Sequence, residues 1–315
     1  MSSVADLTTS QRWRYAIKPA SWPKLLVPTI LGQAVGIVVA GGLSIPALLL
    51  GFVFTLLNGT FIVLLNDWGD REVDTLKRRM FPEGCSLKTI PDGILPARQL
   101  LVAGAAAGLA SVLVAFVLGG LIDRPWLGPL GALCALVFVA YSLPPVALNY
   151  RGGGELLEAL GVGLLLPCFH AYAQSGVFWA PEWWLFPGFV ALSLASALAS
   201  GLSDEESDRA GGKRTLATAA GNAATRRTVE VVVVLAALLW LLAGSWVPAL
   251  PLWAMVPAVL IVLVHGSVML RVSSQATTGA FAAQGVYKQL LHRGIWLGAL
   301  LVAVALLVAS FRGLL

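Results

Sequence analysis

Pro46-Ala47-Leu48-Leu49-Leu50-Gly51-Phe52-Val53-Phe54-Thr55-Leu56-Leu57-Asn58-Gly59-Thr60-Phe61-Ile62-Val63-Leu64-Leu65, followed by Asn66-Asp67-Trp68-Gly69-Asp70-Arg71-Glu72-Val73-Asp74, decides how the chain is read. Residues 46–65 carry no ionisable side chain. As a helix rising 1.5 Å per residue they span about 30 Å, the thickness of a bilayer's hydrocarbon core. If the helix continues at about 100° per residue, Asn66, Asp67, Asp70 and Asp74 fall within an arc of roughly 100°. Carboxylates gathered on one face repel unless positive charge lies between them. Hard oxygen donors of this kind suit Mg²⁺, which is held by one or two carboxylates together with substrate phosphates. The plainer reading is a solvated helix end.

The remaining composition agrees with the membrane reading. Of 315 residues, 58% are apolar and only 12% charged, and the mean hydropathy is +0.83; soluble domains do not need so much apolar sequence. Spans are expected near 21–41, 45–66, 98–121, 126–148, 155–175, 184–202, 229–247, 249–270 and 291–311. The expected fold is therefore an all-α integral membrane protein with nine transmembrane helices around a central apolar cavity. Residues 1–20 form a polar N-terminal segment whose Arg12–Lys18 stretch lies as an amphipathic helix on the membrane surface. Residues 21–315 form one membrane domain. The polar N-terminus carries Arg12, Arg14 and Lys18 and does not read as a cleavable signal peptide.

Basic residues set the orientation. Of the 21 Lys and Arg, only Arg124 and Arg312 fall on the side opposite the N-terminus, which places the N-terminus and the even-numbered loops in the cytoplasm of a cell-membrane protein. The net charge of +5 is thus a topology signal, not a sign of nucleic-acid binding. A basic cytoplasmic face attracts anionic membrane lipid or a phosphorylated substrate. Cys85, Cys134 and Cys168 lack metal-site spacing and read as small fillers or free thiols. His170 and His265 read as hydrogen-bonded packing residues.

A second acidic cluster follows span 6: Ser203-Asp204-Glu205-Glu206-Ser207-Asp208-Arg209-Ala210-Gly211-Gly212-Lys213-Arg214-Thr215-Leu216-Ala217. Asp204 and Asp208, four apart, share a helical face; Glu205 and Glu206 point elsewhere. Gly211 and Gly212 with Lys213 and Arg214 offer a loop of free amides and positive charge for an anion. If both clusters face one cavity, Asp67, Asp70, Asp74, Asp204 and Asp208 need compensation, because each intramembrane acid costs on the order of 2.5–3.5 kcal/mol. Two divalent ions bridged by a diphosphate supply it, with Arg71, Lys88, Arg209 and Lys213 as further contacts. Cytoplasmic loops 67–97 and 203–228 then cap the site, and Asn58, Tyr141 and Arg151 border a cavity for an apolar tail and an acceptor. Such a ligand implies ionisation to an allylic cation sheltered from water.

At these residues the chain resembles the UbiA family of intramembrane prenyltransferases. The similarity rests on Asn66-Asp67-x-x-Asp70-x-x-x-Asp74 and Asp204-x-x-x-Asp208. It extends to Tyr141-Ser142-Leu143-Pro144-Pro145 through Gly154-Glu155, and to Gly212-Lys213-Arg214-Thr215-Leu216-Ala217. The resemblance implies transfer of a polyprenyl group from its diphosphate donor to a lipophilic, aromatic or other acceptor. It assigns one Mg²⁺ to Asn66, Asp70 and Asp74, with Asp67 as a further ligand, and a second Mg²⁺ to Asp204 and Asp208. Lys18-Pro19 stands where many members have Arg-Pro, and Lys88 stands in the stretch where another Arg-Pro is usual; a Lys keeps the charge without the bidentate geometry. An aromatic acceptor of quinone biosynthesis is the first reading. The alternatives are a non-aromatic acceptor (tetrapyrrole, carotenoid, or polyprenyl phosphate with a phosphoribosyl donor) and, from another class, an ion-coupled transporter.

Overall fold

The computed structural model describes residues 6–83, 85 and 87–312, with side chains to residue 310. Residues 1–5 of the polar N-terminal segment, Gly84 and Ser86 of the first cap, and the side chain of Arg312 lie outside that set. Among the described residues nine apolar helices carry the fold: α1 (Pro23–Ala40), α2 (Ile45–Gly69), α3 (Ala97–Leu121), α4 (Leu127–Ser142), α5 (Gly154–Ser175), α6 (Pro181–Leu202), α7 (Asn222–Trp246), α8 (Leu252–Ser273) and α9 (Phe281–Arg312). Among the described residues eight of them are long and apolar enough to cross a membrane; α4, at 16 residues, is shorter. The expected span 126–148 is cut at Ser142 because Pro144 and Pro145 cannot continue a helix. In contrast α7 and α9 begin about two and three turns before the expected spans, since Asn222–Thr228 and Phe281–Leu290 stay helical ahead of the apolar stretch.

The helices close into a ring, α9 packing against both α8 and α1. Small residues set the close approaches, as in lipid they must, where apolar side chains gain little from leaving one apolar medium for another. Gly104 and Gly108 of α3 take Leu65 and Phe61 of α2, while Gly32 and Gly36 of α1 lie against the backbone of Pro167 and Ala171 in α5. A Cβ at Gly36 would sit 2.5 Å from the Ala171 carbonyl oxygen, whereas one at Gly42 meets nothing within 4 Å. Gly36→Ala is therefore expected to destabilise the protein by about 1–3 kcal/mol, read as a lowered melting temperature in detergent. Gly42→Ala should leave that temperature unchanged.

Leucine, valine and phenylalanine side chains cover the outside of the ring, among them Leu49, Leu109, Leu113, Phe116, Val231 and Leu260. At the end opposite the acidic residues, Trp126, Trp179, Trp184, Trp246 and Trp253 stand exposed, the pattern of an aromatic belt at a membrane boundary. Thr8 and Gln11 form a capping box for the N-terminal helix Thr9–Ala16. Trp13, Tyr15 and Ala16 of this helix pack on Leu64, Ile94, Leu95 and Leu100. His170 is locked between Thr55 (2.8 Å) and Gln33 (2.9 Å), as a packing residue should be, and His265 bonds the carbonyl of Ile261 at 2.9 Å.

Two local features aim residues at the ring's interior. First, the helix does not run unbroken through Asp74. It ends at Gly69, Asp70 adopts φ −90°, ψ 5°, and a second helix, Arg71–Met80, restarts. Because Asp70 and Asp74 still donate their amides to the carbonyls of Asn66 and Asp70 (both 2.8 Å), the joint preserves the shared acidic face. Second, α5 opens into a π turn over Gly161–Leu165. Pro167 has no N–H for the carbonyl four residues back, and Gly163 lets α6 approach within contact of Ser193 and Val190.

Candidate active site

Both acidic clusters open into one chamber of about 350 Å³ at the ring's acidic end. Asn66, Asp67, Asp70 and Asp74 enter from α2 and its continuation; Asp204 and Asp208 enter from the joint after α6 and the helix Glu205–Ala210. Deeper down the walls become apolar, formed by Ile62, Cys134, Val137, Phe138, Val162 and Leu166. Asn58 lies in this deeper part with its Oδ1 buried and without a hydrogen-bond partner.

Four lysines partner the five carboxylates. Lys18 pairs with Asp67, Lys88 with Asp74 and Lys77 with Asp204. The Lys213 ammonium is 2.8 Å from Asp70 Oδ2 and 3.9 Å from Asp208 Oδ1. One ammonium thus touches both motifs, so their carboxylate oxygens lie no farther apart than those two distances laid end to end. Asp70 also accepts from Asn149 Nδ2 and Asn66 Nδ2, each at 3.3 Å, and Thr89 donates to Asp67 at 2.6 Å. Lys77 further donates to the Ser203 carbonyl at 3.0 Å, tying the helix of the first cluster to the second.

Electrostatics separates the two downstream acids. Burial would raise Asp204, but Lys77, Lys288 and Lys88 outweigh it and hold the carboxyl below its usual range. Burial together with the charge of Asp204 pushes Asp208 up to about 7, against the pull of Lys213. Burial also raises Asp74 in spite of Lys88. Lys213, which burial alone would lower, is held above its ordinary value by Asp70 and Asp208.

Among the described residues no group of three or more His, Cys, Asp or Glu side chains is arranged to hold a metal ion by itself. What is present are carboxylate pairs facing a shared space, with ammonium groups lying where cations belong. That donor set fits Mg²⁺, which keeps open positions for substrate phosphate and is not wrapped by protein alone. Deprotonated Asp208 is the form able to hold a cation, so ion binding below about pH 7 must displace its proton. Mg²⁺ affinity is accordingly expected to rise with pH up to about 7 and to level off above it, while Asp208→Asn should flatten that dependence. Calorimetric Mg²⁺ titrations between pH 5.5 and 8.5 check this, and a profile flat in the parent protein would contradict it.

A family model described as the UbiA prenyltransferase family matches residues 25–284. The chain belongs to that family. It is an enzyme that transfers prenyl groups. The fold agrees with a UbiA homolog from Archaeoglobus fulgidus at TM-score 0.71 and 15% identity, covering 95% of this chain and 99% of that one. The same homolog bound to GPP and Mg²⁺ gives TM-score 0.69 at 14% identity, over 91% of this chain and 99% of that one. A structure of digeranylgeranylglyceryl phosphate synthase gives 0.61 at 14% identity, over 96% of this chain and 99% of that one. No curated protein sequence matches.

Within this UbiA fold, some of the expected site residues lie apart from the chamber. Arg71 folds back over the Trp68 ring (5.0 Å to its centroid) and donates to the Trp68 carbonyl. Arg209 is held by Glu205 at 2.9 Å on the outer side. Arg151 is exposed at the end of the short helix Leu148–Arg151. The Gly211-Gly212 loop offers no free amides for an anion: the N–H groups of Gly211, Gly212, Lys213 and Arg214 bond the carbonyls of Ser207, Arg209, Asp208 and Tyr150. Its contribution is instead to turn, through Gly212 at φ +75°, and send the Lys213 side chain inward. Tyr141 does line the chamber, stacked on Phe138 with ring centroids 6.1 Å apart. Glu155 accepts from the Leu216 amide at 2.7 Å and so anchors that loop.

Sequence reasoning missed Lys77 and Asn149, and did not see that Lys24 and Glu158 would meet. Lys77 and Arg78, three and four residues after Asp74, both share its helical face, so spacing alone does not single out Lys77. Lys24 and Glu158 are charges in the first turns of apolar helices, which is itself a sign of function.

Proposed function

We propose that this enzyme is a Mg²⁺-dependent prenyltransferase that moves a polyprenyl group from its diphosphate to a lipophilic aromatic acceptor of the quinone-precursor type. The observation that carries the reading is the single Lys213 ammonium shared by Asp70 and Asp208, which brings two remote motifs within the reach of one diphosphate. A homolog of the same fold binds GPP and Mg²⁺. Asn66, Asp67, Asp70 and Asp74 would hold one ion, and Asp204 and Asp208 the other. When bound, Mg²⁺ supplies Lewis-acid stabilisation of the departing diphosphate.

The protein's residues supply the remainder. Lys88 and Lys213, released from their carboxylates, hold diphosphate oxygens by charge-assisted hydrogen bonds. Residues 67–97 and 203–228 cap the chamber of a single membrane domain over 21–315 and exclude water from the allylic cation. The apolar depth takes the polyprenyl tail, and the flat Phe138–Tyr141 stack favours an aromatic acceptor. The excess of Lys and Arg at the acidic end supports a cytoplasmic N-terminus and a cytoplasmic mouth of the site. Purified protein in lipid nanodiscs, given labelled geranylgeranyl diphosphate, Mg²⁺ and a panel of hydroxy-aromatic acids, is expected to form a prenylated aromatic that disappears with EDTA. An inert aromatic panel beside turnover of a non-aromatic lipid acceptor would overturn the acceptor class.

A further inference from the structure

One ion pair in the chamber is not used by the acidic motifs. Lys24, in the first turn of α1, lies 2.5 Å from Glu158, one turn into α5. Both side chains line the chamber. The five aspartates already have four lysines of their own, and Lys24 touches none of them. Around the pair the wall is largely apolar, made by Leu25, Leu157, Gly161 and Val162, with Ser193 and Ser196 on the side away from the aspartates. A charge pair at the edge of an apolar cavity is costly to keep, and it is not needed to join α1 to α5. Gly32 and Gly36 already bring those helices into backbone contact. Glu158 Oε1 is buried and makes no hydrogen bond beyond the ion pair, so it has accepting capacity unspent.

We propose that Lys24 and Glu158 form the acceptor's polar anchor, recognising an aromatic acceptor that carries an acidic oxygen. This rests on the prenyltransferase reading above. Lys24 binds the acceptor's carboxylate or phenolate, and in doing so releases Glu158. The ring carbon then bonds to C1 of the prenyl group as the bond from C1 to the diphosphate oxygen breaks, its electron pair leaving with the diphosphate. The proton lost from the alkylated ring carbon passes to the Glu158 carboxylate, and later to water. Two poles thus divide the chamber: Mg²⁺ and diphosphate at the aspartates, an anionic acceptor at Lys24. Tyr141 lines the same chamber.

The test uses a hydroxynaphthoic acid and its methyl ester as probes, with protein in nanodiscs loaded with Mg²⁺ and geranyl thiodiphosphate. Parent protein is expected to bind the acid more tightly than the ester. Lys24→Met should weaken acid binding by roughly 10- to 100-fold, the loss of a hydrogen bond to a charged group, and change ester binding by less than about threefold. Lys24→Arg should retain the preference. In turnover with geranylgeranyl diphosphate, Glu158→Gln should leave the KM for the acid equal or lower while kcat falls about 10²-fold. Thermal stabilisation by Mg²⁺ plus thiodiphosphate reports on the other pole and should survive in all variants. If the parent itself shows no such stabilisation, the prenyltransferase reading fails. If stabilisation is intact but the parent does not distinguish acid from ester, or Lys24→Met loses both alike, the pair is a strut between helices and the anchor proposal is overturned.

Discussion

Asp70→Ala is expected to lower prenyl transfer by at least about 10²- to 10³-fold, the scale on which an enzyme loses rate when a group stabilising transition-state charge is removed. Asp70 is the residue on which the site converges: Lys213 reaches it at 2.8 Å, and Asn149 and Asn66 at 3.3 Å. Removing its carboxylate takes a proposed Mg²⁺ ligand from the first motif and also the partner that holds Lys213 between the two motifs. The loss should appear in kcat, and saturating donor should not restore it, because the charge being stabilised develops as the diphosphate leaves. Asp204→Ala is expected to do the same with an added cost in stability, since the Lys77 ammonium, only 6% exposed, would keep the Ser203 carbonyl alone. Wild-type-like turnover in both variants at saturating Mg²⁺ would remove the aspartates from the chemistry.

Lys213→Met carries the second large effect, an increase in donor KM of roughly 10- to 100-fold. Its side chain is 9% exposed and lies over the Tyr150 ring at 4.8 Å, so it has one direction available, into the chamber. With Lys213 gone, Asp70 and Asp208 also face each other without a counter-charge, and Asp208, already pushed up to about 7, should hold its proton to still higher pH. The Mg²⁺-binding profile of Lys213→Met is therefore displaced to higher pH than that of the parent. Arg209→Ala is the contrast. Its guanidinium is held by Glu205 outside the chamber, and donor KM should change by less than about threefold. Equal effects of the two substitutions would mean that net charge at the mouth, not contact, recruits the donor.

The separation between what the sequence displays and what it hides follows chain distance. The acidic motifs were legible because their partners are local: Asp70 and Asp74, or Asp204 and Asp208, are four residues apart and stack on a helix whatever else the chain does. The spans were legible because lipid demands uninterrupted apolar stretches. The joint at Asp70 was not, since the amides of Asp70 and Asp74 keep helix-like bonds through it. Which basic side chain turns inward depends on contacts made far away. Lys77, Arg78 and Arg79 are adjacent, yet Lys77 reaches Asp204 and Arg78 reaches Asp92. Lys24 and Glu158 meet only because the glycines of α1 press it onto α5. Arg71 and Arg209 had the right charge and chain position for a diphosphate site, and Arg151 for the acceptor cavity, yet Arg71 lies over Trp68, Arg151 is exposed to solvent and Arg209 is held by Glu205.

Anomalous diffraction from crystals grown with Mn²⁺ in place of Mg²⁺ and with geranyl thiodiphosphate tests the central claim most directly. Two anomalous peaks are predicted, one beside Asp70 and Asp74 and one beside Asp204 and Asp208, with the thiodiphosphate between them. A thiodiphosphate seated away from either aspartate pair, or metal peaks that leave one pair still bound to its lysines, would contradict it.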